Sequence, residues 1–153
     1  MALYKSEQAT GRRTVATPFT AGVAGIRFEY TIEANLAAGD VVYMGDFPAN
    51  KLQPTDVILI SDDLDSNASP TVTLSAGVLN AGLTALGAGT NDTWIAAATV
   101  GQTGGVARSS TAAPYLSGPQ EFAARPLGIV VGTGAATAAM VGKKLVLIVN
   151  AAS

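Results

Sequence analysis

Residues 40–79 read DVVYMGDFPANKLQPTDVILISDDLDSNASPTVTLSAGVL. Three short runs rich in β-branched and apolar side chains, Val41–Met44, Val57–Ser61 and Thr71–Leu79, are cut apart by Pro, Asn, Asp, Gly and Ser. That pattern predicts antiparallel strands joined by surface loops. Pro48 and Pro54 frame a loop around Asn50 and Lys51, and both are expected outside central strands because proline donates no ladder hydrogen bond. Ser61–Pro70 reads as a solvated connection between the second and third runs.

Upstream, Ile26–Ala34 alternates strictly. Ile26, Phe28, Tyr30 and Ile32 are apolar and Arg27, Glu29, Thr31 and Glu33 polar, which places four large side chains on one face of a half-buried strand. Residues 1–25 lack any periodic apolar pattern and are expected to form an extended arm able to reach a neighbour, with Lys5, Arg12 and Arg13 meeting carboxylates. Downstream, Asp92 is placed to cap a short Ala-rich helix over Thr93–Val100, stopped by Gly101. Trp94, the only tryptophan, then anchors that helix on the sheet. Gly101–Gln120 reads as a long turn-rich loop, of a length that often contacts a partner. Leu127–Val131 and Lys144–Asn150 read as closing strands, the second buried on both faces. The expected architecture is all-β, an antiparallel β-sandwich or jelly-roll-like barrel with at most one or two short helices. The domain is expected to span residues 26–153.

Composition narrows the function. Charged residues are only 13% of the 153, against roughly a quarter in ordinary soluble domains, so much uncharged surface is available for burial against partners. The formal charge of −2 and the lack of a Lys/Arg surplus argue against nucleic acid or anionic membrane as partner. Charge is segregated: Lys5, Arg12, Arg13 and Arg27 precede an acidic stretch from Glu29 to Asp65, and Arg108, Arg125, Lys143 and Lys144 follow it. Such a layout suits lateral contacts between copies. The N-terminal residues carry no apolar run of the kind a secretory signal needs, and Leu127–Val141 is too short and too broken by Gly and Thr to span a bilayer.

Chemistry is constrained by what is missing. With no cysteine and no histidine, thiolate nucleophiles, Cys or His metal sites and the commonest general base are absent. No Ser-x-x-Lys spacing occurs to activate a serine, and nothing in the sequence selects a carboxylate pair. Asp63, Asp65 and Asn67 copy the first three ligand positions of a calcium loop, but Ala68 stands where glycine is needed and Leu74 where the bidentate glutamate would be. The expected reading is an Asx-type turn with no metal. Gly132–Thr137 resembles a dinucleotide-binding glycine loop, yet Thr137 replaces the third glycine and no room remains for a crossover helix, so a strand-to-strand turn is expected. Neither cofactor nor small-molecule substrate is implied.

The strand-and-turn centre GDVVYMGDFPANKLQPTDVILISDDLDS, followed by TVTLSAGVLN and TWIAAATVGQTGGVARSS, resembles the head decoration, or cement, proteins of tailed bacteriophages. The likeness covers roughly Gly39–Val131 and includes no catalytic residue. It implies a non-enzymatic β-sandwich on the outer capsid surface, made in the host cytoplasm. It further implies a homotrimer partnered with the major capsid protein, stabilising the shell. The alternatives are a tail or spike component, or a carbohydrate-binding β-sandwich. On the cement reading, Lys5, Arg12, Arg13, Gln102 and Arg108 are the expected partner contacts.

Overall fold

The computed structural model describes residues 1–12, 23–48, 52–117 and 124–152. Nine strands are assigned there: β1 Leu3–Lys5, β2 Val23–Thr31, β3 Val41–Phe47, β4 Gln53–Ser61, β5 Leu74–Val78, β6 Thr93–Ala98, β7 Gly105–Arg108, β8 Arg125–Val131 and β9 Lys144–Ala152. They form two sheets, ordered β1-β3-β8-β5-β6 and β2-β9-β4-β7. All pairs are antiparallel except β1 with β3. The result is an open two-sheet sandwich; the barrel alternative is not realised, because each sheet keeps its own two edges.

The period-2 pattern of β2 is realised in full, with Ile26, Phe28, Tyr30 and Ile32 all buried. Across the four-stranded sheet, Phe28, Leu147 and Leu59 lie side by side in register, as do Ile26, Val149 and Val57. Opposite them, Val42, Ile129, Ala76 and Ile95 form a row through the five-stranded sheet. Each fully buried large aliphatic or aromatic side chain stabilises by about 1.5–3 kcal/mol, and the core cluster holds aromatic members at Phe28, Tyr30, Phe47 and Trp94.

Two glycines fix how closely the chain packs. Gly45 sits at the bulge where β3 slips against β8, with φ of +144°, and a side chain there would meet the Phe28 ring at 2.8 Å. Gly77 lets β5 approach β6 so tightly that a Cβ would lie 2.0 Å from the Asp92 carbonyl oxygen. Pro54 does fall within β4, but next to a bulge and outside the β7 ladder, which reaches only Ile58. It therefore takes no hydrogen-bonding position from a neighbour on that side. The loop expected around Asn50 and Lys51 lies outside the described residues.

Several expectations are corrected. The helix predicted over Thr93–Val100 is instead β6 followed by a 3-10 turn, Val100–Gln102. The β-branched and aromatic residues Thr93, Trp94 and Ile95 outweigh the alanines once β5 offers a ladder. Gly101–Gln120 is not a structureless loop: it carries β7 and a one-turn helix α1, Ala113–Leu116. The closing strand β9 is central in its sheet, but Ile148 and Asn150 on its outer face are only partly buried. The Gly132–Thr137 turn joins two strands as expected, yet β8 and β9 belong to different sheets, so it begins a crossing between layers.

Candidate functional site

The first twelve residues are stitched onto their own chain. β1 runs parallel to β3, with Leu3 opposite Val41 and Lys5 opposite Tyr43. The Ala2 N–H donates to the Asp40 carboxylate at 2.6 Å and the Ser6 N–H to the Tyr43 carbonyl at 2.8 Å, while the buried Ser6 hydroxyl donates to the Met44 carbonyl. The chain then turns toward the other sheet. The Gln8 side-chain amide donates to the Arg27 carbonyl at 3.1 Å, and its oxygen accepts the Glu29 N–H at 3.2 Å. One glutamine thus supplies the donor and acceptor that a further strand would offer the bare edge of β2. Tyr4 and Tyr30 meet across the same gap, with ring centroids 6.3 Å apart. Residues 1–12 therefore clasp the β1 and β2 edges together on one side of the sandwich.

The clasp leaves an open groove of about 280 Å³ lined by Lys5, Glu7, Thr10, Arg12, Tyr30 and Glu33 among others. Lys5 and Arg12, expected as partner contacts, are brought together here and are exposed; Arg13 lies outside the described residues. Burial raises the pKa of the Tyr30 hydroxyl, opposed in part by the Glu33 backbone N–H, a contact short of hydrogen-bond geometry. Beside the groove, Lys144 pairs with Glu29 at 2.7 Å and Arg27 pairs with it too, so the Glu29 carboxyl lies below its usual range, chiefly through the Lys144 contact.

On the opposite side of the sandwich α1 packs against both β4 and β6, with the Gln53 amide donating to the Tyr115 carbonyl and the Asn91 amide to the Leu116 carbonyl at 3.3 Å. Between edge strands β6 and β7 lies a cavity of about 210 Å³ lined by small side chains, Ala96, Ala98 and Ala107, with Trp94, Arg108 and Thr111. Trp94 is core: it is 1% exposed and its indole N–H donates to the Asn91 carbonyl at 3.0 Å. Arg108 is exposed and pairs with Asp56 at 3.1 Å. Gln102 sits in the 3-10 turn, half-buried, so the four described contact residues are divided between the groove that Lys5 and Arg12 line and the β6–β7 side.

The acidic turn is corrected in one respect. Asp63 and Asn67 are exposed and accept N–H bonds in Asx turns, from Asp65 at 3.1 Å and Ser69 at 2.9 Å. Asp65, expected to be solvated, is buried. One of its oxygens accepts the Asn67 and Thr137 N–H groups and the other those of Thr71 and Ala136. Burial alone would raise its pKa, but the four amides outweigh it and hold the carboxyl well below the usual range. A carboxylate ringed by donors repels a cation, and among the described residues no three carboxylates converge. The acidic turn and the glycine loop, read separately as a calcium loop and a nucleotide loop, are each other's partners.

A residue the sequence reading passed over is Arg125, 8% exposed at the start of β8. Its guanidinium lies over the Phe47 ring, 5.0 Å from the centroid, and Nη1 donates to the Ser117 hydroxyl at 2.7 Å. Nε and Nη2 are buried without a hydrogen-bond partner. Burial lowers its pKa, against the influence of Asp92.

Over nearly its whole length the chain superposes on a chain from the capsid of Ralstonia phage GP4. The two are 34% identical, with a TM-score of 0.84, covering 99% of this chain and 97% of the other. The chain belongs to a bacteriophage capsid protein family. The chain is also similar to one from the cyanophage Pam1 capsid asymmetric unit, at 26% identity with a TM-score of 0.67, covering 93% of this chain and 94% of that one. No family model matches the chain, and no curated protein does. Both matched chains come from phage capsids, and a virion structural role follows.

Proposed function

We propose that the protein is a decoration, or cement, protein that binds the outer surface of a phage capsid, partners the major capsid protein, works as a homotrimer and catalyses no reaction. The observation that carries this reading is the full-length likeness, at 34% identity, to a chain of a phage capsid. A light charge of 13% charged residues and an Ala/Thr/Gly-rich surface support it, since such a surface can be covered by neighbours with little desolvation of charge. A ligand that binds the assembled lattice better than free subunits stabilises it by mass action, and repetition over a symmetric shell lets each contact be modest. Lys5 and Arg12 beside the β1–β2 clasp, and Arg108 with Gln102 toward the β6–β7 side, suit a copy that bridges two neighbours; Arg13, outside the described residues, is retained as a contact on the same reading.

The test is to add the purified protein to capsids that lack it. Saturable binding and a higher disruption temperature are expected; no binding to mature shells overturns the reading. Deleting residues 1–13 should weaken attachment, and unchanged occupancy would reject the clasped side as a contact.

A further inference from the structure

Across the middle of the four-stranded sheet, the outward side chains are apolar. An antiparallel sheet with one face in water carries polar residues on that face, and β2 does so with Arg27, Glu29 and Thr31. The two central strands depart from the rule. β9 sends Leu145, Leu147 and Val149 into the core and leaves Val146 and Ile148 on the outer face; β4 sends in Val57 and Leu59 and leaves Ile58 and Ile60. Register lines these residues up in two neighbouring outward rows, Glu29, Val146, Ile60 and Val106 in one, Arg27, Ile148, Ile58 and Arg108 in the other. Ile58, Ile60 and Ile148 are half-buried, and Val106 is 60% exposed. Charge borders the strip: Glu29 holds Arg27 and Lys144 on the β2 side, and Arg108 holds Asp56 toward β7. An apolar centre inside a charged rim is the anatomy of an interface.

The surface that matches this face is the face itself. When a second copy is turned about a two-fold axis lying across the strands, over the inward row of Leu147 and Leu59, the two outward rows change places. Arg27 then meets the second copy's Glu29, Ile148 its Val146 and Ile58 its Ile60, each contact occurring twice. Lys144 comes over the second copy's Asn150, whose amide reaches Asp56 at 3.4 Å, so a cation is set beside a carboxylate there too. The stem of Arg108 falls on the second copy's Val106 and covers it, with the charged head left in water. An axis along the strands does the opposite: it brings β2 over β7 and sets Arg27 against Arg108. Size agrees as well. β2, β9 and β4 are nine residues long, which at about 3.4 Å per residue and about 4.8 Å between strands gives the face a footprint of about 500 Å². Side-chain relief raises the accessible area above the footprint, toward the about 800 Å² per partner of a stable interface.

We propose that the outer face of the four-stranded sheet docks against the same face of a second copy, in the two-fold register that sets Arg27 on Glu29. Ile58, Ile60, Val146 and Ile148 of both copies then form a further apolar layer between sheets, which pack about 10 Å apart when stacked face to face. A two-fold contact closes after two copies and builds no trimer. On the decoration reading it therefore joins a copy in one trimer to a copy in the next, but it concerns the chain alone and stands without that reading.

The test is the assembly mass of the full chain and its variants by analytical ultracentrifugation at about 100 μM, above the micromolar-to-picomolar range of interfaces of standard size, with a thermal melt of each. The wild type should form an even-numbered assembly, two copies or, where the trimer also forms, six. I60E sets a carboxylate in the centre of the strip and should halve that number. R27E and E29R each bring like charges together twice across the axis and should pair at least tenfold more weakly; they sit at the rim and keep the test valid if I60E does not fold. Mixed in equal amounts, R27E and E29R should pair with each other, because each presents two like charges to two opposite ones. Charge pairing within either chain cannot produce that recovery. A wild type of one or three copies overturns the proposal. So do masses unchanged in I60E, R27E and E29R, or a mixture of the last two that associates no better than its components. No shell enters the experiment, so a failure to bind capsids would refute the decoration reading and leave this one standing.

Discussion

Replacing Gln8 with alanine tests whether residues 1–12 hold the two sheets together through a single side chain. The amide makes two hydrogen bonds to the edge of β2, 3.1 Å to the Arg27 carbonyl and 3.2 Å from the Glu29 N–H. Neutral hydrogen bonds contribute about 1 kcal/mol each, so the pair is worth about 2 kcal/mol. For a chain of this size that corresponds to a fall in melting temperature of about 4–8 °C. The loss is local as well as global. The Glu29 N–H should exchange with solvent about 30-fold faster, the factor that 2 kcal/mol implies. The Ile26 and Phe28 amides should change less, because they lie in a strand whose other edge is paired along its length with β9. Amide hydrogen exchange followed by NMR reads all of these in one experiment. If Glu29 keeps its wild-type protection in a folded Q8A protein, the glutamine is not its partner and the clasp is held by β1 alone.

Asp65→Asn should lower the melting temperature at pH 7, because an amide cannot accept from four N–H groups without presenting its own donors to some of them. Since the carboxyl's pKa is depressed in the folded protein, its contribution is present above the unfolded value and lost as pH falls through the folded one. The wild type should therefore lose stability as pH falls below about 4 and the variant lose less, a difference thermal melts between pH 2 and 7 would check. Gly77→Ala forces a Cβ to within 2.0 Å of the Asp92 oxygen, which itself accepts the Val78 N–H at 2.8 Å. A destabilisation of about 1–3 kcal/mol is expected, read as a lower urea midpoint at unchanged slope.

How far the fold could be read from the residues depended on whether local pattern and long-range pairing agreed. β2 was legible because alternation alone fixes which face is buried, and the core positions Ile26, Phe28, Tyr30 and Ile32 followed directly. β6 was not, since alanine suits a helix in isolation and only the β5 ladder decides otherwise. β7 was hidden by its brevity: Gly105–Arg108 keeps one half-buried residue among three exposed ones, so no alternation shows. At the site level, the failure of the calcium and nucleotide patterns was visible in Ala68, Leu74 and Thr137. That Asp65 answers Ala136 and Thr137, some seventy positions away, was not, because nothing in either segment names the other. Arg125 carried no signal at all; an arginine before a proline at the end of a polar stretch looks like surface.

The order of strands in the four-stranded sheet, β2-β9-β4-β7, governs when the protein can become itself. β2 and β4 emerge from the ribosome early, but neither pairs with the other; both wait for Lys144–Ala152 to slide between them. Until then β2 has no strand partner and the nine-residue β4 has only the four-residue β7 at one end, a state prone to wrong partners. Closing such distant pairings is slow, because chain entropy is lost before any contact compensates it. A nascent chain stalled before residue 144 could build much of the five-stranded sheet and none of the β2-β9-β4 ladder. The central strand acts as a completeness check: only a chain synthesised through β9 can bring both halves of that sheet together.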